Sequence, residues 1–399
     1  VVSRRGIDSV RRGHPWIYRS AVVQQSASPI GSSPEGAAAI VDILDESGEI
    51  VGCGVWDPVS PIAVRVWSLE PGARLDGRMF RARLEHAIEI RRRLFADGTT
   101  TAYRLLNGEG DRVPAFVVDR YADVAVLRID GDAARTVAAE LLREIEGPLR
   151  AIGITTLLER IGGRGEAKDV RPRFGPMREK VEVKEHGVPF VVDLVRGQKT
   201  GAFLDQRENR RRIGALVARR MRASSGAGVR VLNLFSYTGG FSLHAALAGG
   251  TVTSVDVAMA AHATAQESFR LAGVDPRAHT FATADCFAFL EAAKRRGDAW
   301  DVVISDPPSF APSEKAKPKA LAAYRALHRA CVEVLAAGGT FVAASCSSHV
   351  SAEDFAATLD DTALGRADLR LLEQFGPPPD HPTLPAFPEG RYLKLAILE

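Results

Sequence analysis

The chain is short of cysteine. Its 399 residues include four, Cys53, Cys286, Cys331 and Cys346, and no two of them form a Cys-x-x-Cys pair. Such spacing argues against a zinc site or a disulfide framework and fits a reducing cytoplasm. No metal is expected. Long apolar runs are missing too, since no stretch approaches the roughly 20 residues that cross a bilayer. The basic start, Val1-Val2-Ser3-Arg4-Arg5, leads into no long apolar segment, which reads against a signal peptide. Internal repeats and low-complexity segments are lacking as well. What remains is a chain with 46% hydrophobic and 25% charged residues. It can bury a sizeable core and is long enough for about two or three domains.

Net charge is only +3, but it is unevenly spread. From residue 351 to 399 nine acids face four bases, so the rest of the chain is more basic than the total implies. Basic residues cluster at Arg4/Arg5/Arg11/Arg12/Arg19, Arg91/Arg92/Arg93, Arg207/Arg210/Arg211/Arg212 and Lys315/Lys317/Lys319. Together they would draw a polyanion. Any one of them alone reads as a solvated face.

Three blocks follow one another. Residues 1–70 alternate short β-like runs, at 38–44, 50–55 and 62–67, with turns. One turn is Asp45-Glu46-Ser47-Gly48, and Gly31-Ser32-Ser33-Pro34 reads as a loop. This block reads as a small β-barrel. Residues 72–187 read as an α+β module. It has helices over 76–95 and 133–145, a hairpin of 115–119 and 124–129, and strands near 151–157 and 180–185. The stretch 162–176 reads as an irregular loop. From 188 to 399 strand and helix alternate, with strands at 229–235, 252–256, 279–284, 301–305 and 339–345 and helices at 259–272 and 320–335. That alternation predicts an α/β fold with a doubly wound, mostly parallel sheet. Two late strands, 369–375 and 392–398, have no helix between them and can pair antiparallel.

The first strand of the third block runs into Asn233-Leu234-Phe235-Ser236-Tyr237-Thr238-Gly239-Gly240-Phe241. Ligands of open α/β sheets sit at the carboxyl ends of the strands, and glycine lets a backbone approach a ligand closely. The spacing is neither Gly-x-Gly-x-x-Gly nor a P-loop, so a pyrophosphate or triphosphate would find no cradle of amides here. S-adenosylmethionine (SAM) carries a sulfonium and an amino acid but no phosphate, and a shorter glycine turn suffices for it. Phe235, Ser236, Tyr237, Thr238, Gly239 and Gly240 are its candidate contacts. Asp256 ends the second strand, where a carboxylate can accept both ribose hydroxyls. Asp285 ends the third, placed for adenine, and reads equally well as a helix N-cap. Asp306 ends the fourth.

Asp306-Pro307-Pro308-Ser309-Phe310 follows that fourth strand. Two prolines stiffen the turn and remove two amide donors. A rigid loop with Asp306 at its start, then Pro308 and the aromatic Phe310, can hold a flat base and accept a hydrogen bond from its exocyclic amine. Ser345-Cys346-Ser347 closes the fifth strand at the same sheet edge. Carbon 5 of a pyrimidine is a poor nucleophile. A thiolate added at carbon 6 makes carbon 5 enamine-like, ready to take a methyl group, after which a base removes the carbon 5 proton and the thiolate leaves. Cys346 can play that part, or it can be a small buried hydrophobe. Cys53, Cys286 and Cys331 read as structural.

Further segments join these motifs in a fixed order along nearly the whole chain. Arg12-Gly13-His14-Pro15-Trp16-Ile17-Tyr18 comes first. Asn107-Gly108-Glu109-Gly110-Asp111 and Val118-Asp119-Arg120-Tyr121 follow. Then come Asp193-Leu194-Val195-Arg196-Gly197-Gln198-Lys199-Thr200-Gly201, Phe203-Leu204-Asp205-Gln206-Arg207 and, last, Tyr392-Leu393-Lys394. The set resembles the RlmI-like ribosomal RNA large-subunit methyltransferases, which make 5-methylcytosine in 23S rRNA. The resemblance implies a PUA-type RNA-binding domain at 1–70, a small central α+β domain at 72–187 and a Rossmann-like class I SAM-dependent methyltransferase domain at 188–399. It implies Cys346 as nucleophile and Asp306 beside the target base. It also implies Lys199, Thr200, Phe203, Asp205 and Gln206 on the cofactor or substrate face, with Arg207 and Arg210 toward the substrate. The expected partner is RNA, 23S rRNA or a large-subunit assembly intermediate, with no membrane. The two leading domains offer extra surface for a homodimer. Two departures stand out: a leading strand is expected to be short, and 159–169 diverges and is a candidate RNA contact.

Rival readings remain. Related domains with an Asp-Pro-Pro loop methylate purine nitrogens and need no thiolate, so Cys346 is the discriminating feature. An RNA-binding protein with a vestigial methyltransferase fold would keep the basic clusters but not need Gly239, Asp256, Asp306 and Cys346 together. An NAD-dependent oxidoreductase lacks its phosphate cradle.

Overall fold

Val231, Leu232, Leu234, Val252, Val255, Val302, Val303, Ile304, Phe341 and Val342 are all buried. Strands this apolar on both sides belong in a sheet covered on both faces. The computed structural model describes residues 1–25, 37–162, 169–224, 226 and 228–399, and in it these residues form the middle of a seven-stranded sheet. Its strands are β1 (Arg230–Leu234), β2 (Thr251–Asp256), β3 (Thr280–Thr283), β4 (Trp300–Ser305), β5 (Leu335–Ser345), β6 (Leu371–Phe375) and β7 (Lys394–Leu398). Their order is β3-β2-β1-β4-β5-β7-β6. The five strands from β3 to β5 are parallel, and β7 is antiparallel to both β5 and β6.

The pleat sends alternate residues to opposite faces. Val231, Val252, Val302, Ile304, Val342 and Ala344 meet Ile213, Leu216 and Val217 of α1 (Arg207–Ala223) and Phe241 and Ala245 of α2 (Gly240–Leu247). On the other face, Leu232, Leu234, Val255, Val303, Phe341 and Ala343 meet Leu290 of α4 (Cys286–Arg296) and Tyr324, Leu327 and Cys331 of α5 (Lys317–Glu333). Between α2 and α4 in the chain comes α3 (Met259–Leu271). The strand order reverses between β1 and β4, and in open α/β sheets the crevice at such a point holds the ligand.

This sheet belongs to the second of two compact units, formed by Lys184–Val192, Asp205–Pro378 and Arg391–Glu399. The first unit is Val1–Val183 with two later insertions, Asp193–Leu204 and Pro379–Gly390. It contains an antiparallel four-stranded sheet in the order Trp16–Tyr18, Ile62–Ser68, Ile50–Trp56, Ala39–Leu44. A helix, Arg4–Arg11, precedes that sheet, with the Ser3 hydroxyl accepting from the amide of Gly6 at its start. A five-stranded sheet follows, Ala102–Asn107, Phe116–Tyr121, Val124–Ile129, Thr156–Ile161 and Asp169–Phe174, beside the helix Gly77–Leu94.

Several expectations shift. Residues 162–176 are not loop throughout, because Asp169–Phe174 pairs antiparallel with Thr156–Ile161 at the sheet edge. Residues 163–168 lie outside the described residues, as do Gly31, Ser32, Ser33 and Pro34. The strand expected at 151–157 begins only at Thr156, since Ala151 still ends the helix Glu146–Ala151 and Gly153, at φ +81°, turns the chain. The helix Arg4–Arg11 and the strands Ala102–Asn107 and Val188–Asp193 were not foreseen.

Candidate active site

The turn after β1 is tightly wound. Phe235, Tyr237 and Gly239 have φ of +56°, +47° and +73°. Non-glycine residues there cost about 1–3 kcal/mol each and persist only where their surroundings hold them. The Tyr237 amide donates to Asp256 Oδ2 at 2.8 Å. The Ser236 amide donates to the Val255 carbonyl at 3.0 Å, and the Phe235 amide to Cys286 Sγ at 3.3 Å. Gly239 is required by more than its φ, because an added Cβ would lie 3.0 Å from Ala265 Cβ. At Gly240 it would lie 2.6 Å from Arg210 Cδ. Thr238 is half-buried on the same turn.

Asp256 takes a second amide, from Ala258 to Oδ1 at 2.8 Å. Each oxygen so far accepts one donor, and the residue is half-buried, which leaves acceptor sites for hydroxyls. Asp285 is exposed and caps α4, its Oδ1 accepting from the Ala288 amide at 2.9 Å. Of the two readings given for it, the helix N-cap is the one seen, with the cap occupying Oδ1.

Asp306 lies at the end of β4. Its Oδ1 accepts from Gln206 Nε2 at 3.0 Å, and Gln206 Oε1 in turn accepts from Asn209 Nδ2 at 2.6 Å. Gln206 and Asn209 are both buried. Asn209 therefore fixes which end of the Gln206 amide faces Asp306. Asp205, next in the chain, accepts from the Tyr392 hydroxyl at 2.7 Å. Beyond Asp306, Pro308 is exposed, while Phe310 is half-buried against Tyr324 with ring centroids 4.9 Å apart.

Cys346 follows the last residue of β5. It is half-buried, whereas Cys53, Cys286 and Cys331 are buried. Burial pushes the Cys286 thiol up to about 12 and the Cys331 thiol higher still, so neither suits a nucleophile. Cys346 Sγ lies 3.9 Å from the Pro307 carbonyl oxygen. The thiol and the Asp306-Pro307-Pro308 loop therefore share one corner of the sheet edge. The Tyr324 hydroxyl braces that corner, 2.9 Å from Ser345 Oγ and 3.0 Å from Ser347 Oγ, while Ser309 Oγ is 3.1 Å from Ser347 Oγ.

Lys199, Thr200 and Phe203 fall in the insertion Asp193–Leu204 of the first unit. Thr200 is buried there, its hydroxyl bonded to Asp119 and 2.9 Å from the Tyr121 hydroxyl. Lys199 Nζ sits 4.4 Å from the centroid of the Phe203 ring. Arg160 donates to the carbonyls of Val195, Gly197 and Lys199. Arg207 and Arg210, expected to meet substrate, are instead buried. Arg210 is 8% exposed, and its Nε and Nη2 donate to Glu185 at 2.8 and 2.5 Å. Arg207 Nε donates to Glu208 at 3.1 Å. A buried guanidinium locked to a carboxylate is not offered to a polyanion.

Two family models match the chain. An S-adenosylmethionine-dependent methyltransferase model covers residues 173–392, and a PUA-like domain model covers residues 1–69. A ribosomal RNA large subunit methyltransferase of Deinococcus radiodurans is 36% identical over 410 residues, covering 100% of this chain and 96% of that protein. Ribosomal RNA large subunit methyltransferase I of Escherichia coli is 31% identical over 397 residues, covering 97% and 95%. The chain belongs to the RlmI-like ribosomal RNA large-subunit methyltransferase family. A crystal structure of SMU.776 complexed with SAH superposes with a TM-score of 0.84 at 23% identity, over 100% of this chain and 99% of that one. This likeness speaks for the fold.

Like the rest of its family, this methyltransferase uses SAM. The residues suit that cofactor: a left-handed glycine turn against which a ligand can lie closely, an acceptor-rich Asp256 one strand over, and no helix-capping side chain at Gly239. Sequence reasoning passed over Asn209, Tyr324 and the sulfur of Cys286 as parts of the site. Asn209 could have been found from its place three residues after Gln206, one helical turn on. Tyr324 and Cys286 carried no signal beyond apolar helix patterns.

Proposed function

We propose that this methyltransferase adds a methyl group to carbon 5 of a cytosine in 23S rRNA, through a covalent adduct with Cys346. One observation carries the reading: Cys346 is the half-buried thiol among four cysteines, and it lies against the carbonyl of Pro307 in the loop that Asp306 begins. The Cys346 thiolate adds to carbon 6 of the base, and carbon 5 becomes nucleophilic. Asp306, steadied by Gln206 and Asn209, accepts a hydrogen bond from the exocyclic amine, which a cytosine has and a uracil lacks. Bound SAM supplies the sulfonium methyl that carbon 5 takes. Loss of the carbon 5 proton to a base then lets the sulfur leave. Asp256 would hold the ribose of bound cofactor, and the turn from Phe235 to Gly240 would hold its amino-acid end. Asp285 would meet its adenine. Asp205 and Gln206 belong to the cofactor or substrate side of this unit.

In this reading the protein works in the cytoplasm on rRNA or on a large-subunit assembly intermediate. It divides into an RNA-binding domain at 1–70, a central domain at 72–187 and a catalytic domain at 188–399. The family relationship supports the substrate class, since the relatives named above are large-subunit rRNA methyltransferases.

The test is to incubate the protein with methyl-labelled SAM and unmodified large-subunit rRNA, digest the RNA and identify the labelled nucleoside by mass spectrometry. Labelled 5-methylcytosine is expected. A labelled purine would move the chemistry to a ring nitrogen and remove the role of Cys346. Cys346→Ala should abolish turnover and keep SAM binding, because the thiol acts on the base and not on the cofactor.

A further inference from the structure

Strand β7 begins with a lysine that points into the protein. Lys394 is 8% exposed, and its backbone pairs across the sheet with Ser345, the residue before Cys346. Its Nζ donates to the carbonyls of Ser347 and Val350, which follow Cys346 in the chain, both at 2.7 Å. The Ser347 carbonyl also accepts from the Val350 amide at 3.3 Å. The chain on the far side of the cysteine is thus tied down by one ammonium group. A buried lysine that serves only packing is rare, because removing its charge from water is costly.

We propose that Lys394 is a positioning residue for the reacting thiol: its buried ammonium fixes the loop that follows Cys346 and supplies the positive charge that favours the Cys346 thiolate. The inference rests on the reading of Cys346 as nucleophile. Carbonyl oxygens neutralise no charge, so the ammonium's field stays available to a nearby anion. Burial pulls the Lys394 pKa down to about 8, while Cys346 and Asp354 pull it back up, so the group is still charged at neutral pH. Asp354 is itself paired with Lys317 at 2.6 Å. Tyr324, whose pKa burial and the nearby Cys346 and Asp306 raise, is a further titratable group beside the thiol. When Cys346 ionises, its proton passes to solvent and Lys394 keeps its own.

The test reads the thiol directly. Cys53, Cys286 and Cys331 are buried, so iodoacetamide labelling of the native protein, followed by peptide mass spectrometry, reports on Cys346. The rate is measured from pH 6 to 10 in the native chain, Lys394→Met and Lys394→Arg, with SAM affinity as the check on folding. The native midpoint is expected below the roughly 8.5 of a free thiol. Lys394→Met should raise it and slow labelling at neutral pH by about ten-fold, one pKa unit's worth, while Lys394→Arg should keep the native midpoint. A Met variant that binds SAM normally and titrates like the native chain overturns the proposal. Should that variant fail to bind SAM, a native midpoint at or above about 8.5 overturns it instead. Labelling does not depend on turnover, so retention of methylation by Cys346→Ala would defeat the nucleophile reading separately.

Discussion

At the scale of single residues, the site is built from polar groups that hold one another in place. Asp256 takes two backbone amides, from Tyr237 and Ala258, and so ties the left-handed turn to the end of β2. Its charge thereby shapes the turn, and in the proposed reading it also serves the cofactor ribose. Hydrogen bonds to a charged group contribute about 1.5–3 kcal/mol each. Asp256→Ala should therefore weaken SAM binding by about ten- to a hundred-fold, read by titration calorimetry. Unchanged affinity would remove Asp256 from the ribose role. His328 makes a different kind of statement. Its Nδ1 lies 3.1 Å from the Thr358 carbonyl, so the ring is a neutral donor there, and burial pulls its pKa down to about 4. An unfolded chain binds the same proton near pH 6.5. Between about 6.5 and 4 the unfolded state holds more protons, so stability falls as the pH falls through that window. Urea unfolding at several pH values should show a shallower fall for His328→Gln than for the native chain. Equal slopes would mean that another group sets the acid limit.

At the scale of elements, legibility followed chemistry. The parallel strands β1, β2, β4 and β5 could be read because strands covered on both faces are continuous apolar runs. The glycine turn, Asp256, Asp306 and Cys346 could be read because each ends one of those strands or follows it. Asp169–Phe174 could not, for its sequence Asp-Val-Arg-Pro-Arg-Phe is polar and carries a proline that only an edge strand tolerates. Helix α1 was equally opaque. It buries Arg207, Asn209 and Arg210 as well as Ile213, Leu216 and Val217, so its basic residues looked like a solvated face while three polar side chains were in fact part of the interior. That burial gives α1 a task, because Arg210 packs under Gly240 at the start of α2 while Glu185 holds its head. A glycine-to-alanine change near a helix start with ordinary φ normally stabilises by about 0.4–1 kcal/mol. Here the new Cβ would sit 2.6 Å from Arg210 Cδ, and Arg210 cannot swing aside without breaking a buried ion pair. Gly240→Ala is expected to destabilise by about 1–3 kcal/mol in urea unfolding. A more stable variant would show that Arg210 is free to move.

At the scale of the whole molecule, the chain passes between its two units at 183/184, 192/193, 204/205, 378/379 and 390/391. Pro379–Gly390 comes late in the sequence, yet it belongs to the first unit and satisfies buried polar groups there. Arg91, fully buried, donates to Asp111 at 2.7 and 2.8 Å and to the Asp380 carbonyl at 2.7 Å. The Arg104 amide donates to Asp380 Oδ2 at 2.9 Å, and Asn107 Nδ2 to the Pro382 carbonyl at 2.8 Å. Gly110 has no room for a side chain, since a Cβ would meet the Pro382 carbonyl oxygen at 1.9 Å. The Asn107-Gly108-Glu109-Gly110-Asp111 motif is thus explained as a receptor for this strap. The first unit is thus completed by residues that follow most of the second unit in the chain. Replacing 379–390 with a Gly/Ser linker of equal length would leave Arg91, Arg104 and Asn107 without these acceptors, each loss costing about 1–3 kcal/mol. Hydrogen exchange followed by mass spectrometry should show faster exchange in Ala102–Asn107 and in the last turn of Gly77–Leu94. The central strands β1, β4 and β5, whose cores contain no strap residue, should keep their protection. Unchanged exchange in Ala102–Asn107 would show that the strap only rests on the first unit, and equal loss in both units would show that they unfold as one.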